Sequence, residues 1–225
     1  MILSMLSLKN VSVLRNGIPI LDDVSLEINQ GEFVFLVGQA GAGKTTMIRL
    51  ITLDLLPNSG TVIVGEYETG TLKRRQIALL RRQVGIILND PRLLGDRDVF
   101  ENVAFSLYVT NAKKNEIKER VLRVLDEVEL TQRATDTPNE LTVAEQQRIA
   151  IARAIVNDPL ILLADEPTGN LDYAAAIQLV ELLRKINSRG TAVLLATHNY
   201  ELVKKVPARI VQLKNRKLQE VEWIE

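Results

Sequence analysis

The sequence predicts an α/β fold in which a buried parallel β-sheet is covered by helices. Continuous apolar runs, typical of strands buried on both faces, occur at residues 33–37, 84–88, 160–164 and 192–196. Segments with apolar residues at helical spacing separate these runs, and such alternation favours a parallel sheet. The chain has 225 residues, of which 46% are hydrophobic and 25% charged, so it can bury a substantial core.

The charge balance and the missing cysteines exclude several classes of function. Lys and Arg total 28 and Asp and Glu total 28, so the formal net charge is zero. Binding to nucleic-acid phosphates usually requires a basic surplus, so no nucleic-acid partner is expected. The absence of cysteine excludes disulfides, zinc–thiolate sites and thiol nucleophiles. No apolar run approaches the roughly 18 residues of a membrane-spanning helix, which predicts a soluble, intracellular protein.

Both ends of the chain are predicted to form β-hairpins. Strand patterns that flank short turns occur at residues 6–13 and 18–28 and within 210–221. The turn pairs are Asn16-Gly17 and Asn215-Arg216. Residues 1–8 are apolar but lack the basic region and cleavage site of a signal peptide, so we interpret them as strand.

Helical patterns fill the middle of the chain and recur near its end. They cover residues 117–128, 145–156 and 174–186. The segment 90–140 is mostly helical and has no buried strand pattern. We therefore expect a single domain over residues 1–225, with a helical subdomain at about 90–155 inserted into the α/β core.

A phosphate-binding loop is predicted directly after the first buried run. The pattern GxxxxGK[ST] is matched in full by Gly38, Gln39, Ala40, Gly41, Ala42, Gly43, Lys44 and Thr45. Glycines allow backbone N–H groups to turn towards phosphate oxygens, and the helix that begins near Thr46 adds a favourable dipole. Lys44 is expected to reach the β- and γ-phosphates, and the Thr45 hydroxyl to bind Mg²⁺. The alternative is an ordinary glycine-rich turn.

Two carboxylates and the single histidine follow other buried strands. Asp165 comes directly after the run 160–164 and is placed to orient Mg²⁺. Glu166 is the candidate general base for an attacking water. His198 follows the run 192–196, so it lies at the same sheet edge and can hydrogen-bond the γ-phosphate or the water. The alternative is a solvated acidic pair before Pro167 and a structural histidine.

These motifs, in this order, resemble the nucleotide-binding subunits of ABC transporters. The resemblance covers nearly the whole chain. Its parts are the P-loop 38–45, a Q-loop region near 89, a signature region 141–145, Asp165-Glu166, a D-loop 169–172 and His198. Residues 93–104 are most similar to the FtsE group of cell-division ATPases, and family members in lipoprotein export and macrolide efflux have similar sequences.

The resemblance implies the ABC ATPase fold, with a P-loop NTPase core, an antiparallel β subdomain and a helical subdomain. It implies ATP and Mg²⁺ as cofactors and a homodimer on ATP binding, in which each signature faces the other copy's P-loop. For the FtsE group it implies ATP hydrolysis that drives or regulates an integral membrane partner of the FtsX type. The protein is then cytoplasmic and peripheral on the inner face of the cell membrane. The alternatives are an ATP-binding scaffold with little or no hydrolysis, and the ATPase of a lipoprotein-export or efflux transporter.

The signature departs from the family pattern Leu-Ser-Gly-Gly-Gln/Glu. Thr142 keeps a hydroxyl group that can bond the γ-phosphate, and Glu145 matches the last position. Val143 and Ala144 place side chains where glycine permits close backbone approach, and the β-branched Val143 is stiff. We therefore expect weakened binding of ATP between the two copies, an arrangement called the ATP sandwich, and weak hydrolysis. The alternative is purely structural, because Thr142 and Glu145 have the spacing of a helix capping box.

Two further positions depart from the family pattern. Asn89 stands at the Q-loop glutamine and is one methylene shorter, which limits its reach to Mg²⁺ or the attacking water. The alternative is a turn-forming Asn at 89–91. Arg15, beside Leu14, stands where the family has an aromatic side chain that stacks on adenine. A guanidinium can also stack on a base, and the alternative is a solvated hairpin residue. We expect retained phosphate and Mg²⁺ chemistry with altered coupling between two copies.

The membrane partner is expected to dock in a groove formed by residues 89–110. The predicted apolar contacts for a partner helix are Leu93, Leu94, Val99 and Phe100. The alternative is that these side chains belong to the core of the helical subdomain.

Overall fold

The computed structural model describes residues 4–222. Within this range the strands, in chain order, are β1 Ser4–Arg15, β2 Ile18–Asn29, β3 Phe33–Val37, β4 Ser59–Val64, β5 Tyr67–Glu68, β6 Val84–Leu88, β7 Ile161–Asp165, β8 Ala192–Thr197, β9 Arg209–Lys214 and β10 Lys217–Val221. The α-helices are α1 Lys44–Ile51, α2 Arg74–Arg82, α3 Val99–Val109, α4 Lys114–Glu127, α5 Val143–Ile155, α6 Tyr173–Asn187 and α7 Tyr200–Lys205.

The larger sheet has the strand order β10-β9-β3-β8-β7-β6. Its strands pair in parallel, except that β10 is antiparallel to β9. The four apolar runs of the sequence form β3, β6, β7 and β8, and every residue of β3 and β8 is buried. The predicted α/β fold with a parallel sheet is therefore confirmed.

The smaller sheet is antiparallel, with the order β2-β1-β4-β5. Its β1–β2 hairpin turns at Asn16 and Gly17, whose φ angles of 52° and 77° favour these residue types. The C-terminal hairpin turns at Asn215 and Arg216, with φ angles of 51° and 69°. Both predicted hairpins are confirmed, and the interpretation of residues 1–3 as strand lies outside the described residues.

Two apolar cores lie on opposite faces of the larger sheet, because successive strand residues point to opposite sides. In β3, Phe33 and Phe35 face the core shared with α3, α4, α5 and α6. Val34 and Leu36 face the core shared with α1 and the smaller sheet. Helices α3, α4 and α5 all lie in the chain between β6 and β7.

Strands β4 and β5 and helices α2 and α7 have no counterpart in the sequence predictions. Helix α2 is short and strongly basic, with four arginines among its nine residues, and Leu80 is its one buried residue. Strand β5 has two residues and α7 has six, which is too short for a periodic signal. Across residues 4–222, no helix combines the length and the apolar character needed to cross a membrane.

Candidate functional site

The candidate site lies at one edge of the larger sheet, where four parallel strands end side by side. Val37 pairs with Thr197, and Asp165 pairs with both Ala196 and Leu88. The residues that follow these strands are the P-loop, His198, Glu166 and Asn89, so all of them start from this edge. Ligands of open α/β sheets bind at the carboxyl ends of the strands.

The P-loop links β3 to α1. Gly41 and Gly43 have φ angles of 79° and 114°, a region that other residues rarely adopt, so glycine is required for this turn. Helix α1 begins at Lys44, whose side chain is 6% exposed. The Lys44 ammonium donates hydrogen bonds to the carbonyl oxygens of Gly38, at 2.7 Å, and Gln39, at 3.2 Å. Lys44 is therefore held against the P-loop, together with which it is expected to bind phosphate.

Lys44, Glu166 and His198 form one charged cluster. Glu166 Oε1 lies 3.1 Å from Lys44 Nζ and 2.9 Å from His198 Nδ1. The His198 backbone N–H also donates to Glu166 Oε2, at 3.2 Å. Burial alone raises the pKa of Glu166, but the hydrogen bonds from His198 and Lys44 outweigh it and lower the pKa below its usual value. Glu166 is therefore ionised at neutral pH, as a general base must be.

Thr45 and Asp165 supply oxygens that fit Mg²⁺. The Thr45 hydroxyl donates to Asp165 Oδ2, at 2.8 Å. Asp165 Oδ1 is buried and has no hydrogen-bond partner within the described residues. Burial raises the pKa of Asp165, and the Thr45 hydrogen bond partly opposes this shift. No group of three or more His, Cys, Asp or Glu side chains within residues 4–222 is arranged to hold a metal.

These side chains surround a cleft of about 440 Å³. It is lined by Arg15, Ile20, Ala40, Gly41, Gly43, Lys44, Thr45, Thr46, Asp165, Glu166 and His198. Arg15, from the tip of the β1–β2 hairpin, is thus brought together with the P-loop, although 150 residues separate it from Asp165 in the sequence. Gly38, Gln39 and Ala42 instead line a neighbouring cleft of about 970 Å³ on the other side of the loop.

Asn89 does not line the nucleotide-sized cleft. It is exposed and lies beside the turn that follows Glu166, since a β-carbon built on Gly169 would lie 2.9 Å from Asn89 Oδ1. The Gly169 N–H donates to the Glu166 carbonyl oxygen, at 3.1 Å, which closes that turn. The asparagine is therefore next to the backbone of the candidate base, and among the described residues no hydrogen bond joins its side chain to Thr45 or Asp165.

The signature residues also lie outside the cleft of the same chain; they are Thr142, Val143, Ala144 and Glu145. The predicted capping box is confirmed, because Glu145 Oε2 accepts from the Thr142 N–H and hydroxyl, both at 2.8 Å. These bonds lower the pKa of Glu145. Val143, the first residue of α5, is 51% exposed. The start of α5 is therefore capped by residues of its own chain, and it presents an apolar side chain where the family has glycine.

The prediction of a docking groove from Leu93, Leu94, Val99 and Phe100 is wrong for three of the four residues. Val99 is fully buried, and Leu93 and Phe100 are partly buried and pack against the same core. Leu94 does line a groove of about 660 Å³ between α2, β6 and α3. Its other apolar walls come from residues that the sequence did not single out.

Sequence reasoning also missed Gln147. This side chain is 2% exposed and donates a hydrogen bond of 2.7 Å to the carbonyl oxygen of Leu88, the residue before Asn89. It therefore ties the signature helix α5 to the end of β6. A signal was available, because Gln147 lies four residues before Ile151 on the buried face of α5, where a polar residue is unusual.

Fold and site together define a P-loop ATPase of the ABC type. A family model described as ABC transporter matches residues 21–169. The chain belongs to this family, and it is an ABC-type ATP-binding subunit.

Curated relatives carry a more specific name. The cell division ATP-binding protein FtsE of Bacillus subtilis is 42% identical over 200 residues, covering 89% of this chain and 88% of the relative. FtsE of Mycobacterium tuberculosis is 45% identical over 195 residues, covering 87% and 85%. The sequence resemblance to the FtsE group is confirmed.

Solved structures agree in fold. The ATP-binding cassette MJ0796, in a dimeric post-hydrolysis state bound to ADP and Pi, is 32% identical with a TM-score of 0.84, covering 98% of this chain and 100% of that chain. CbiO1 from Clostridium perfringens, part of the ABC transporter complex CbiONQ, has a TM-score of 0.89 at 24% identity, covering 96% and 87%. The second likeness concerns the fold alone.

Proposed function

We propose that this protein hydrolyses ATP to drive or regulate an integral membrane partner of the FtsX type in cell division. One observation carries the proposal: Lys44, Thr45, Asp165, Glu166 and His198, from three parts of the chain, surround one cleft beside the P-loop. The names of the FtsE relatives supply the cell-division context. The proposed location is the cytoplasmic face of the cell membrane.

Each residue has a proposed task in hydrolysis. The P-loop N–H groups and Lys44 bind the β- and γ-phosphates, so the Lys44–Glu166 ion pair must open when ATP enters. Thr45 and Asp165 would hold Mg²⁺, which when bound would supply positive charge beside the transferred phosphate. Glu166 accepts a proton from the attacking water, and His198 orients Glu166 through its Nδ1 contact.

The proposed working form is a homodimer in which the signature helix of one copy completes the cleft of the other. The signature residues 142–145 do not reach the cleft of their own chain, which supports an arrangement of this kind. In this proposal the whole chain is one domain, and residues 90–155 form the helical subdomain that carries the signature and one wall of the docking groove.

A second candidate function, an ATP-binding scaffold with slow turnover, is favoured by two features. Thr142 already donates its hydroxyl to Glu145, and the exposed Val143 stands where close backbone approach is needed. Both features oppose a tight sandwich, whereas the intact Glu166 cluster supports hydrolysis.

The test is reconstitution with an FtsX-type membrane protein from the same organism, purified in detergent. We expect the chain to be captured and its ATP turnover to change on capture. Lys44→Ala should abolish turnover but leave capture intact, because Lys44 is remote from the docking groove. Capture without any turnover in the parent chain would favour the scaffold, and failure of capture would contradict the proposed partner.

A further inference from the structure

The segment that follows β6 is attached to the signature helix α5 by side chains. Residues 90–92 form no backbone–backbone hydrogen bond within the described part of the chain. Instead, the Arg153 guanidinium donates to the carbonyl oxygens of Pro91 and Arg92, at 3.1 and 3.0 Å. Arg153 is half-buried and forms no ion pair among the described residues, so these two backbone oxygens are its polar partners there. We call residues 88–92 the exit segment.

Gln147 attaches the start of the exit segment to the same helix. Its buried side-chain amide donates to the Leu88 carbonyl oxygen at 2.7 Å, about one helical turn after Val143. Helix and strand also pack closely further along, because a β-carbon built on Gly85 would lie 2.7 Å from the carbonyl oxygen of Ala154. The exit segment is thus fixed to α5 at both of its ends.

Asn89 lies between these two attachments. Its side-chain oxygen would lie 2.9 Å from a β-carbon built on Gly169, next to the turn that Glu166 begins. Asparagine is one methylene shorter than the glutamine of the family, so a change of rotamer compensates less for a displaced backbone. The reach of Asn89 therefore depends on where the exit segment is held.

We propose that Gln147 and Arg153 are positioning residues, which hold the exit segment so that Asn89 stays beside the turn of Glu166 and orients the attacking water. This inference rests on the proposed function and assigns a role to two side chains outside the P-loop, the signature and the other sequence motifs. One hydrogen bond adds little net stability, whereas a displacement of about 1 Å near the reacting groups is costly to the rate. If the two side chains only stabilised the fold, their loss would lower the free energy of unfolding and leave kcat unchanged.

The first measurement is limited digestion of the full chain by trypsin, without a membrane partner, followed at the bond after Arg92 by mass spectrometry. Gln147→Met keeps the length of the side chain but removes the donor. Cleavage there should be about three- to tenfold faster than in the parent, because the segment opens more often. Gln146→Met is the matched control, since Gln146 donates to the carbonyl oxygens of Pro138 and Leu141 instead, and its cleavage after Arg92 should equal that of the parent.

The second measurement is a double-mutant cycle on ATP hydrolysis with Mg²⁺. Gln147→Met should lower kcat by about three- to tenfold without a change in KM, because neither Gln147 nor Asn89 lines the phosphate cleft. Since Gln147 acts through Asn89, adding Gln147→Met to Asn89→Ala should lower kcat by less than about twofold more. The longer side chain of Asn89→Gln should tolerate the displaced segment and restore most of the kcat lost in Gln147→Met. Arg153→Lys keeps the charge but loses the planar pair of donors, and it should behave like Gln147→Met.

Three results would overturn the proposal. They are unchanged cleavage after Arg92 in Gln147→Met, unchanged kcat in that variant, and losses that multiply when Gln147→Met is combined with Asn89→Ala. A parent chain without any turnover, alone or with Asn89→Gln, would contradict the proposed hydrolysis and the role of Asn89 with it. Cleavage after Arg92 would then still decide whether Gln147 holds the exit segment.

Discussion

The phosphate cleft and the start of the signature helix differ in how much of the site one chain completes. In the cleft, Glu166 contacts both Lys44 and His198. At the start of α5, Thr142 and Glu145 bond to each other and reach nothing in the cleft. This difference supports the proposal that the single chain carries the phosphate chemistry, whereas the signature would act only when another copy brings it close.

Glu166→Gln has the largest expected effect on this comparison. Loss of a general base reduces turnover by about 10²- to 10⁴-fold, whereas ATP binding should persist because Lys44 and the P-loop are untouched. The measurements are phosphate release and ATP affinity. Glu220→Gln, which alters a carboxylate paired with Arg209 far from the cleft, serves as the control. Turnover equal to that of the parent chain would remove Glu166 from the mechanism.

Asn89→Ala should reduce kcat by about tenfold, on the scale of one lost hydrogen bond in the transition state. The physical reason is that Asn89 lies beside the turn closed by Glu166 and Gly169, close to where water must be oriented. Asn89→Gln restores the family's side chain and should keep or raise kcat, with ATP affinity unchanged in both variants. An unchanged kcat in Asn89→Ala would favour the turn-forming interpretation.

Thr142→Ala should lower the free energy of unfolding by about 1 kcal/mol, the usual cost of a lost helix N-cap. Thr142→Ser keeps the hydroxyl and should cost less. The Thr142 N–H and hydroxyl lower the pKa of Glu145. The stabilisation is therefore present above glutamate's usual pKa and is lost as pH falls through the lowered value. In urea titrations the cost of Thr142→Ala should shrink in acid, and a cost independent of pH would contradict the capping assignment.

Arg15→Ala has the smallest expected effect, a loss of ATP affinity of about two- to fivefold, as for stacking by an exposed guanidinium. Arg15→Tyr supplies an aromatic ring of the kind found in the family and should bind at least as tightly as the parent. Leu14→Ala is the control, because Leu14 is exposed and does not line the cleft. Affinity unchanged in Arg15→Ala would leave this residue as a solvated part of the hairpin.

The sequence predicted the parts of the molecule that depend on strong local patterns. Buried strands such as Phe33–Val37 need continuous apolar runs, and the P-loop needs glycine at Gly41 and Gly43. Both features are therefore visible in the sequence itself. The sheet edge that gathers Asp165 and His198 follows from parallel topology once the strands are known.

The docking groove could not be predicted in the same way. Whether Val99 or Phe105 faces the core depends on how α3 rotates against α5, a tertiary contact that periodicity alone does not fix. Helix α2 is only nine residues long, and the placement of its arginines beside β6 and α3 depends on tertiary packing. Gln147 acts through a hydrogen bond to a backbone atom 59 positions away, which residue spacing cannot reveal.

The most direct test of the central claim is ATP hydrolysis by the parent chain and by Val143→Gly/Ala144→Gly, each over a range of protein concentrations with Mg²⁺. Val143→Ala is the control that removes the β-branch without adding flexibility. Glycine within a helix costs up to about 1 kcal/mol per residue, so a gain in activity could not come from added stability. We expect weak, non-cooperative hydrolysis by the parent and faster, cooperative hydrolysis by the double glycine variant. Cooperative hydrolysis by the parent, unchanged by the glycines, would contradict the claim that the altered signature limits coupling between two copies.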